Sequence, residues 1–152
     1  SYSAVTPVIR YAEVLLSYLE CLIESGQAID QTVLNLTINQ VRGRADVKMP
    51  PITETNSDKL RELLRNERRV ELDFEGIRYW DLLRWKLAET VLVGEVWGAP
   101  YPKSTTYAGS TKFVDPTGHC RWYVGRRDFR NPQDYKWPIP LSEQNINPNL
   151  RE

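Results

Sequence analysis

The sequence is poor in the residues that most often carry chemistry. It has one histidine, His119, two cysteines, Cys21 and Cys120, and one methionine. A lone His beside a turn lacks the partners of a catalytic triad or a zinc site. The two Cys fit no metal or redox spacing. Cys21 falls among Leu19, Leu22 and Ile23 in a helical pattern, so a buried free thiol is expected there. A disulfide to Cys120 stays open. Charge of one sign is also lacking: 20 basic residues cancel 20 acidic ones. Nucleic acids and anionic membrane surfaces call for a basic patch, and the balance does not suggest one. No apolar run is long enough to span a bilayer, and no signal peptide opens the chain.

What is present is aromatic. Five Trp and eight Tyr in 152 residues make either a core of large side chains or a surface for flat, amphipathic ligands. The length suits one domain, or part of a larger protein.

The first half reads as helix. Thr6 and Pro7 can cap and start the first one, with Val8, Ala12, Leu15, Leu16, Leu19, Leu22 and Ile23 on one face and Gly26 as the stop. A second helix is expected from about Asp30 to Arg42, with Val33, Leu36, Ile38 and Val41 inward. Together they form an αα-hairpin of about 34 residues, the length of a tetratricopeptide-type repeat. No second copy follows. Because about three stacked repeats are needed to bury such faces, companion helices are expected upstream.

The stretch 44–56 is a loop, and Asn56, Ser57 or Asp58 caps the next helix, which carries Leu60, Leu63, Leu64, Val70 and Phe74. Gly76 breaks it, and a shorter helix with Ile77, Tyr79, Trp80, Leu82, Leu83 and Trp85 fades near Ala88. From Gly94 onward Gly and Pro recur. Asp115-Pro116-Thr117-Gly118 has type I turn residues, and Lys112–Val114 and Cys120–Val124 flank it as a small hairpin. The segment from Tyr135 to Pro140 must be extended, and Ser142 can cap a turn through Asn145.

The densest information lies in 65–85. Leu60, Leu64, Glu67, Glu71 and Phe74 follow at helical steps, so two carboxylates continue an apolar stripe. An unpaired buried charge is costly, and Arg42, Arg68 and Arg78 are natural partners. Glu67, Glu71, Glu75 and Asp81 could instead be a catalytic carboxylate set of a glycoside hydrolase. The structural reading is preferred, because each acid has an Arg within a few positions, whereas a general acid needs surroundings that keep it protonated. The expectation is no catalytic residue, no metal and no cofactor.

Four segments in order resemble the SusD/RagB family of outer-membrane nutrient-binding lipoproteins. They are Ile9-Arg10-Tyr11-Ala12-Glu13-Val14-Leu15-Leu16; Ile38-Asn39-Gln40-Val41-Arg42; Glu67-Arg68-Arg69-Val70-Glu71-Leu72 through Phe74-Glu75-Gly76 and Arg78-Tyr79-Trp80-Asp81-Leu82 to Arg84-Trp85; and Trp137-Pro138-Ile139-Pro140 with Ser142-Glu143 and Asn147-Pro148-Asn149-Leu150. The resemblance implies a mainly α, SusD-like fold: one tetratricopeptide-like hairpin, further helices, and a loop-rich C-terminal half with a small β-hairpin. It implies that 1–152 is the C-terminal domain of a longer protein whose N-terminal helical repeats and lipid anchor lie outside this chain. Neither Cys21 nor Cys120 matches the anchor position, and members usually run a few residues past Arg151-Glu152.

The implied function is non-enzymatic: binding a nutrient, most simply an oligosaccharide, at the cell surface. The implied partner is a SusC-like TonB-dependent outer-membrane transporter, with membrane attachment only through the absent lipid. Sugar-contacting aromatics in the family vary and lie in loops. The local candidates are Trp97, Tyr101, Tyr107 and Trp122, for each of which packing is the competing reading. The alternative function is a helical protein-interaction module that binds no sugar.

Overall fold

The computed structural model describes residues 8–100 and 114–150. The chain divides into two compact units, Ser1–Trp80 and Asp81–Glu152.

The first unit is helical. It contains α1 (Tyr11–Glu24), α2 (Gln31–Leu36), α3 (Ile38–Arg42) and α4 (Ser57–Glu71), followed by the start of α5 (Ile77–Arg84). Leu16 and Leu19 of α1, Leu34 and Ile38 of α2 and α3, and Leu60 and Leu64 of α4 are fully buried and form one cluster. Burying each such side chain is worth roughly 1.5–3 kcal/mol. Helix α1 starts at Tyr11, after an extended Arg10, later than the expected start. Thr6 and Pro7 lie outside the described residues.

The second helix of the hairpin is divided at Thr37. This residue has φ −123° and ψ −102°, and its Oγ1 donates to the Val33 carbonyl at 2.7 Å. Such back-bonding competes with the helical ladder. The division turns Leu36 outward, contrary to the expected inner face, while Ile38 and Val41 stay buried. Asp30 caps α2 through the Val33 amide, and Asn56 caps α4 through the Lys59 amide. The loop between α3 and α4 is held by Asn39. Its Oδ1 accepts from the Ile52 amide at 2.7 Å, and its Nδ2 donates to the Ile52 carbonyl at 2.9 Å. Those bonds seat Ile52 in the core.

Along α4 the expected stripe holds for four positions. Leu60, Leu64, Glu67 and the Glu71 side chain are all turned inward. Leu63 and Val70 face out. Phe74 does not continue the stripe: α4 ends at Glu71, Phe74 takes a left-handed φ of 62°, and its side chain is 99% exposed. Gly76, with φ 76°, completes the break.

The two inward carboxylates are held by arginines. Arg42 bonds Glu67. Arg44 meets Glu71 fork to fork, both bonds being 2.8 Å. Arg10 donates to Glu71 Oε1 at 2.9 Å, to the Glu71 carbonyl at 2.7 Å, and to Glu75 at 2.6–3.1 Å. Hydrogen bonds from Arg10 to Glu75 and then to Glu71 push its guanidinium still higher above the ordinary range. Arg68, expected near Glu67 or Glu71, reaches Ser17 at 3.0 Å and lies 3.9 Å from Glu20. Cys21 is exposed, which corrects the expected buried thiol, while Cys120 is buried; neither is in a disulfide.

The second unit contains the rest of α5, then α6 (Ala88–Val91), β1 (Gly94–Pro100), β2 (Arg121–Arg127) and α7 (Leu141–Ile146), with single 3-10 turns at Gln133–Tyr135 and Pro148–Leu150. Ser142 does not cap α7; it lies inside the helix, and Pro140 precedes the first turn. Phe129 packs edge-on against Tyr135, with ring centroids 4.8 Å apart, and Lys86 Nζ sits 4.1 Å from the Tyr135 centroid. No helix among the described residues is long and apolar enough to cross a membrane.

The Asp115 turn forms as expected, closed by a Gly118 amide bond to the Asp115 carbonyl at 2.9 Å, and Val114 bridges to Cys120. β2 pairs with β1, a partner the sequence did not suggest; Lys112 and Phe113 lie outside the described residues. Asp115 is buried. Its Oδ1 accepts from Thr117 Oγ1 at 2.7 Å and from the Thr117 and His119 amides at 2.9 Å, and Arg121 Nε lies 3.0 Å from Oδ2.

Two predictions follow from these contacts. Glu71→Ala strands the Arg44 guanidinium and leaves Arg10 with Glu75 as its carboxylate partner. The loss expected in denaturant unfolding is about 2–3 kcal/mol, below the ~3–5 of a fully buried pair because both arginines reach water. Glu62→Ala, which removes an exposed i,i+3 pair with Arg65, should stay within about 0.5 kcal/mol. The second concerns acid. The Thr117 hydroxyl bond, then the backbone amides and Arg121, hold the Asp115 carboxyl below its ordinary 3.8. A lowered native value means that the turn's stabilisation is complete above the unfolded value and is lost as pH falls through the native one. A carboxyl NMR titration should find Asp115 below 3.8, and Thr117→Ala should move it up.

Candidate functional site

Trp97 and Trp122 lie on the two strands of the second unit. Strands β1 and β2 run antiparallel, with Glu95 opposite Arg126, Val96 opposite Gly125 and Trp97 opposite Tyr123. The register shifts between Val96 and Trp97, and again between Trp97 and Pro100. The first shift leaves Val124 as an extra residue on β2, which strengthens the local twist. Beside it the Trp97 and Tyr123 rings meet edge to face, centroids 5.2 Å apart at 67°. Trp97 Nε1 donates to Glu95 Oε2 at 3.2 Å. Arg126, across from Glu95, donates Nε to Asp128 at 3.1 Å.

One face of the hairpin therefore presents an aromatic corner edged by a carboxylate and a guanidinium. Tyr123 is 39% exposed, and Glu95 and Arg126 are open to solvent. An aromatic face can stack on the C–H face of a sugar ring, while flanking acceptors and donors can bond its hydroxyls.

Of the four sequence candidates, Trp97 belongs to this corner. Trp122 is 58% exposed but neighbours Tyr123 in the strand and so takes the alternate side of the pleat. Tyr101 and Tyr107 lie outside the described residues. Tyr123 was not among the expected residues. Its signal would have been pairing of Trp97 with the strand after the turn, which local patterning does not supply.

The motif carboxylates are engaged elsewhere. Glu67, Glu71 and Glu75 bond Arg42, Arg44 and Arg10, and Asp81 bonds Arg84 at 2.8 Å. At the start of α1 lies a cleft of about 440 Å³. Ala12, Leu15 and Val41 line its apolar part, with Tyr11, Arg10 and Arg44 around them.

Comparisons with known proteins agree with one another. The SusD family matches residues 1–152. A SusD-like carbohydrate binding protein of Bacteroides fragilis NCTC 9343 has a solved structure 68% identical to this chain, with a TM-score of 0.89 over 96% of it. A further SusD-like protein from the same organism is 31% identical over 91% of the chain, with a TM-score of 0.63. SusD-like protein P38 of Formosa agariphila is 34% identical over 90 residues, 55% of this chain. The chain spans only 28% and 24% of the two Bacteroides proteins and 17% of the Formosa one. The four ordered motifs, the mainly α fold with its small hairpin and a family match along the whole sequence place this chain in the SusD family.

Proposed function

We propose that the chain is part of a non-enzymatic, nutrient-binding protein that captures oligosaccharides for uptake across the outer membrane. The observation that carries this reading is the family match along all 152 residues. The carbohydrate binding named for the Bacteroides relative, at 68% identity, supports the ligand class. In this reading the protein is a surface-exposed lipoprotein of the outer membrane. This chain is its C-terminal domain, with helical repeats and the anchor preceding it, and a SusC-like TonB-dependent transporter is the partner. The Trp97–Tyr123 corner is the stacking platform within this chain. Tyr101, Tyr107 and Trp122 remain candidates on the same loop-rich half.

Absence of catalysis belongs to the same proposal. Hydrolysis of a glycoside needs two carboxyl groups facing one bond, one of them protonated. The acids of the dense motif instead bond guanidiniums: Glu71 and Glu67 those of Arg10 and Arg42 from other segments, and Asp81 that of Arg84 on its own helix.

A single corner limits affinity. Two stacked aromatics at about 1 kcal/mol each, with a few hydroxyl bonds, reach about −4 kcal/mol, which is millimolar. Calorimetry with a panel of oligosaccharides should therefore give millimolar binding by residues 1–152, weakened several-fold by Trp97→Ala or Tyr123→Ala, with no product released. Micromolar binding unaffected by both substitutions would move the site elsewhere. Turnover abolished by Glu67→Gln or Asp81→Asn would overturn the non-enzymatic reading.

A further inference from the structure

A buried carboxylate stands beside the hairpin and holds a guanidinium of β2. Asp115 is only 7% exposed. Its Oδ1 takes three donors, the Thr117 hydroxyl and the Thr117 and His119 amides, and the Thr117 hydroxyl is bonded in turn to His119 Nδ1 at 2.7 Å. Oδ2 is left for Arg121, whose Nε lies 3.0 Å away and is shut off from water. A buried charge is costly unless it is compensated, so this contact fixes the inner edge of the guanidinium. The Arg121 side chain is nevertheless 35% exposed, and its Nη groups make no hydrogen bond among the described residues.

Residues 121 and 123 of a strand point to one face. The shift between Trp97 and Pro100 puts its extra residue on β1, so the alternation along β2 is unbroken there. Arg121 therefore stands about 7 Å along the strand from Tyr123, on the side of the sheet that carries the Trp97–Tyr123 corner. The two ends of the corner differ in charge. Towards Arg126 there are two carboxylates, Glu95 and Asp128. Towards Arg121 there is Asp115, already buried and bonded.

We propose that Arg121 determines the specificity of this platform and selects an acidic sugar. A hexuronate ring stacks on Trp97 and Tyr123 while its carboxylate meets the Nη edge of Arg121, with Asp115 as the positioning residue. The planar fork of a guanidinium matches a carboxylate at two points, a match that the neutral hydroxymethyl group of a hexose does not offer. The chain as a whole exerts no general pull on anions, because its formal net charge is zero. The selection rests on the stacking platform proposed above and adds the chemical class of its sugar.

The test is NMR titration of the chain with an oligogalacturonate trimer and an oligomannuronate trimer, each beside the neutral trimer made by reducing its carboxyls to primary alcohols. At least one acidic trimer should bind about fivefold more tightly than its neutral counterpart, the scale of a partly exposed charge pair. Arg121→Gln should bring that ratio to about one. Arg121→Lys, which keeps the charge and loses the fork, should recover it only in part. Asp115→Asn should also lower the ratio, which a merely structural turn would not move. Trp97→Ala should weaken acidic and neutral trimers alike. Equal binding of both acidic trimers and their neutral counterparts overturns the selection by Arg121 and leaves the stacking platform standing, as does a preference that survives Arg121→Gln. Binding of no trimer, or binding indifferent to Trp97→Ala, overturns the platform and the selection together.

Discussion

The carboxylate of Glu71 lies between two guanidiniums, and the first helical unit is organised around that contact. Arg10 comes from the residue before α1, and Arg44 from the loop after α3. The shared acceptor stands at the last turn of α4. Three segments distant in sequence thus meet at one charge. Taking a carboxylate out of water is costly unless its oxygens are satisfied, and here one oxygen takes two donors and the other takes one. The same donors fix the direction in which α1 leaves Arg10 and the path of the chain past Arg44. Specific geometry, more than net stability, is what such a pair contributes.

This constraint separates scaffold from surface. Glu67 and Glu71 extend the apolar stripe of Leu60 and Leu64, and arginines hold them there. The proposed stacking platform lies instead on a bulged two-stranded sheet, where Trp97 and Tyr123 meet edge to face across paired strands. The motif rich in acids thus serves packing in the first unit, and under the proposed function the side chains of strands and loops are the ones offered to a nutrient.

Much of this was legible in the residues. The i, i+4 spacing placed Glu67 and Glu71 on the inner face of α4, and Arg42 was identified as a partner. Arg10 and Arg44 were not, because 61 and 27 residues separate them from Glu71 and no local pattern encodes such contacts. Caps at Asp30 and Asn56 could be read because their chemistry is local. The break at Thr37 escaped because its cause is one side-chain bond to Val33 inside a good helical pattern. The turn at Asp115 was readable from its residue types. The pairing of β2 with β1 was not, since strand partners across some twenty residues are chosen by packing and twist, and so Tyr123 went unnoticed beside Trp97. Cys21 was misplaced because α1 is apolar on both faces, and periodicity alone does not say which face is inside.

The central claim is that Arg44 and Glu71 act as one unit. A double-mutant cycle with Arg44→Ala, Glu71→Ala and the double variant, followed by urea unfolding of the first unit, measures it directly. The account predicts that the double variant loses about 1–2 kcal/mol less than the sum of the single losses, as contacting charges do. Additive losses within about 0.3 kcal/mol would contradict it.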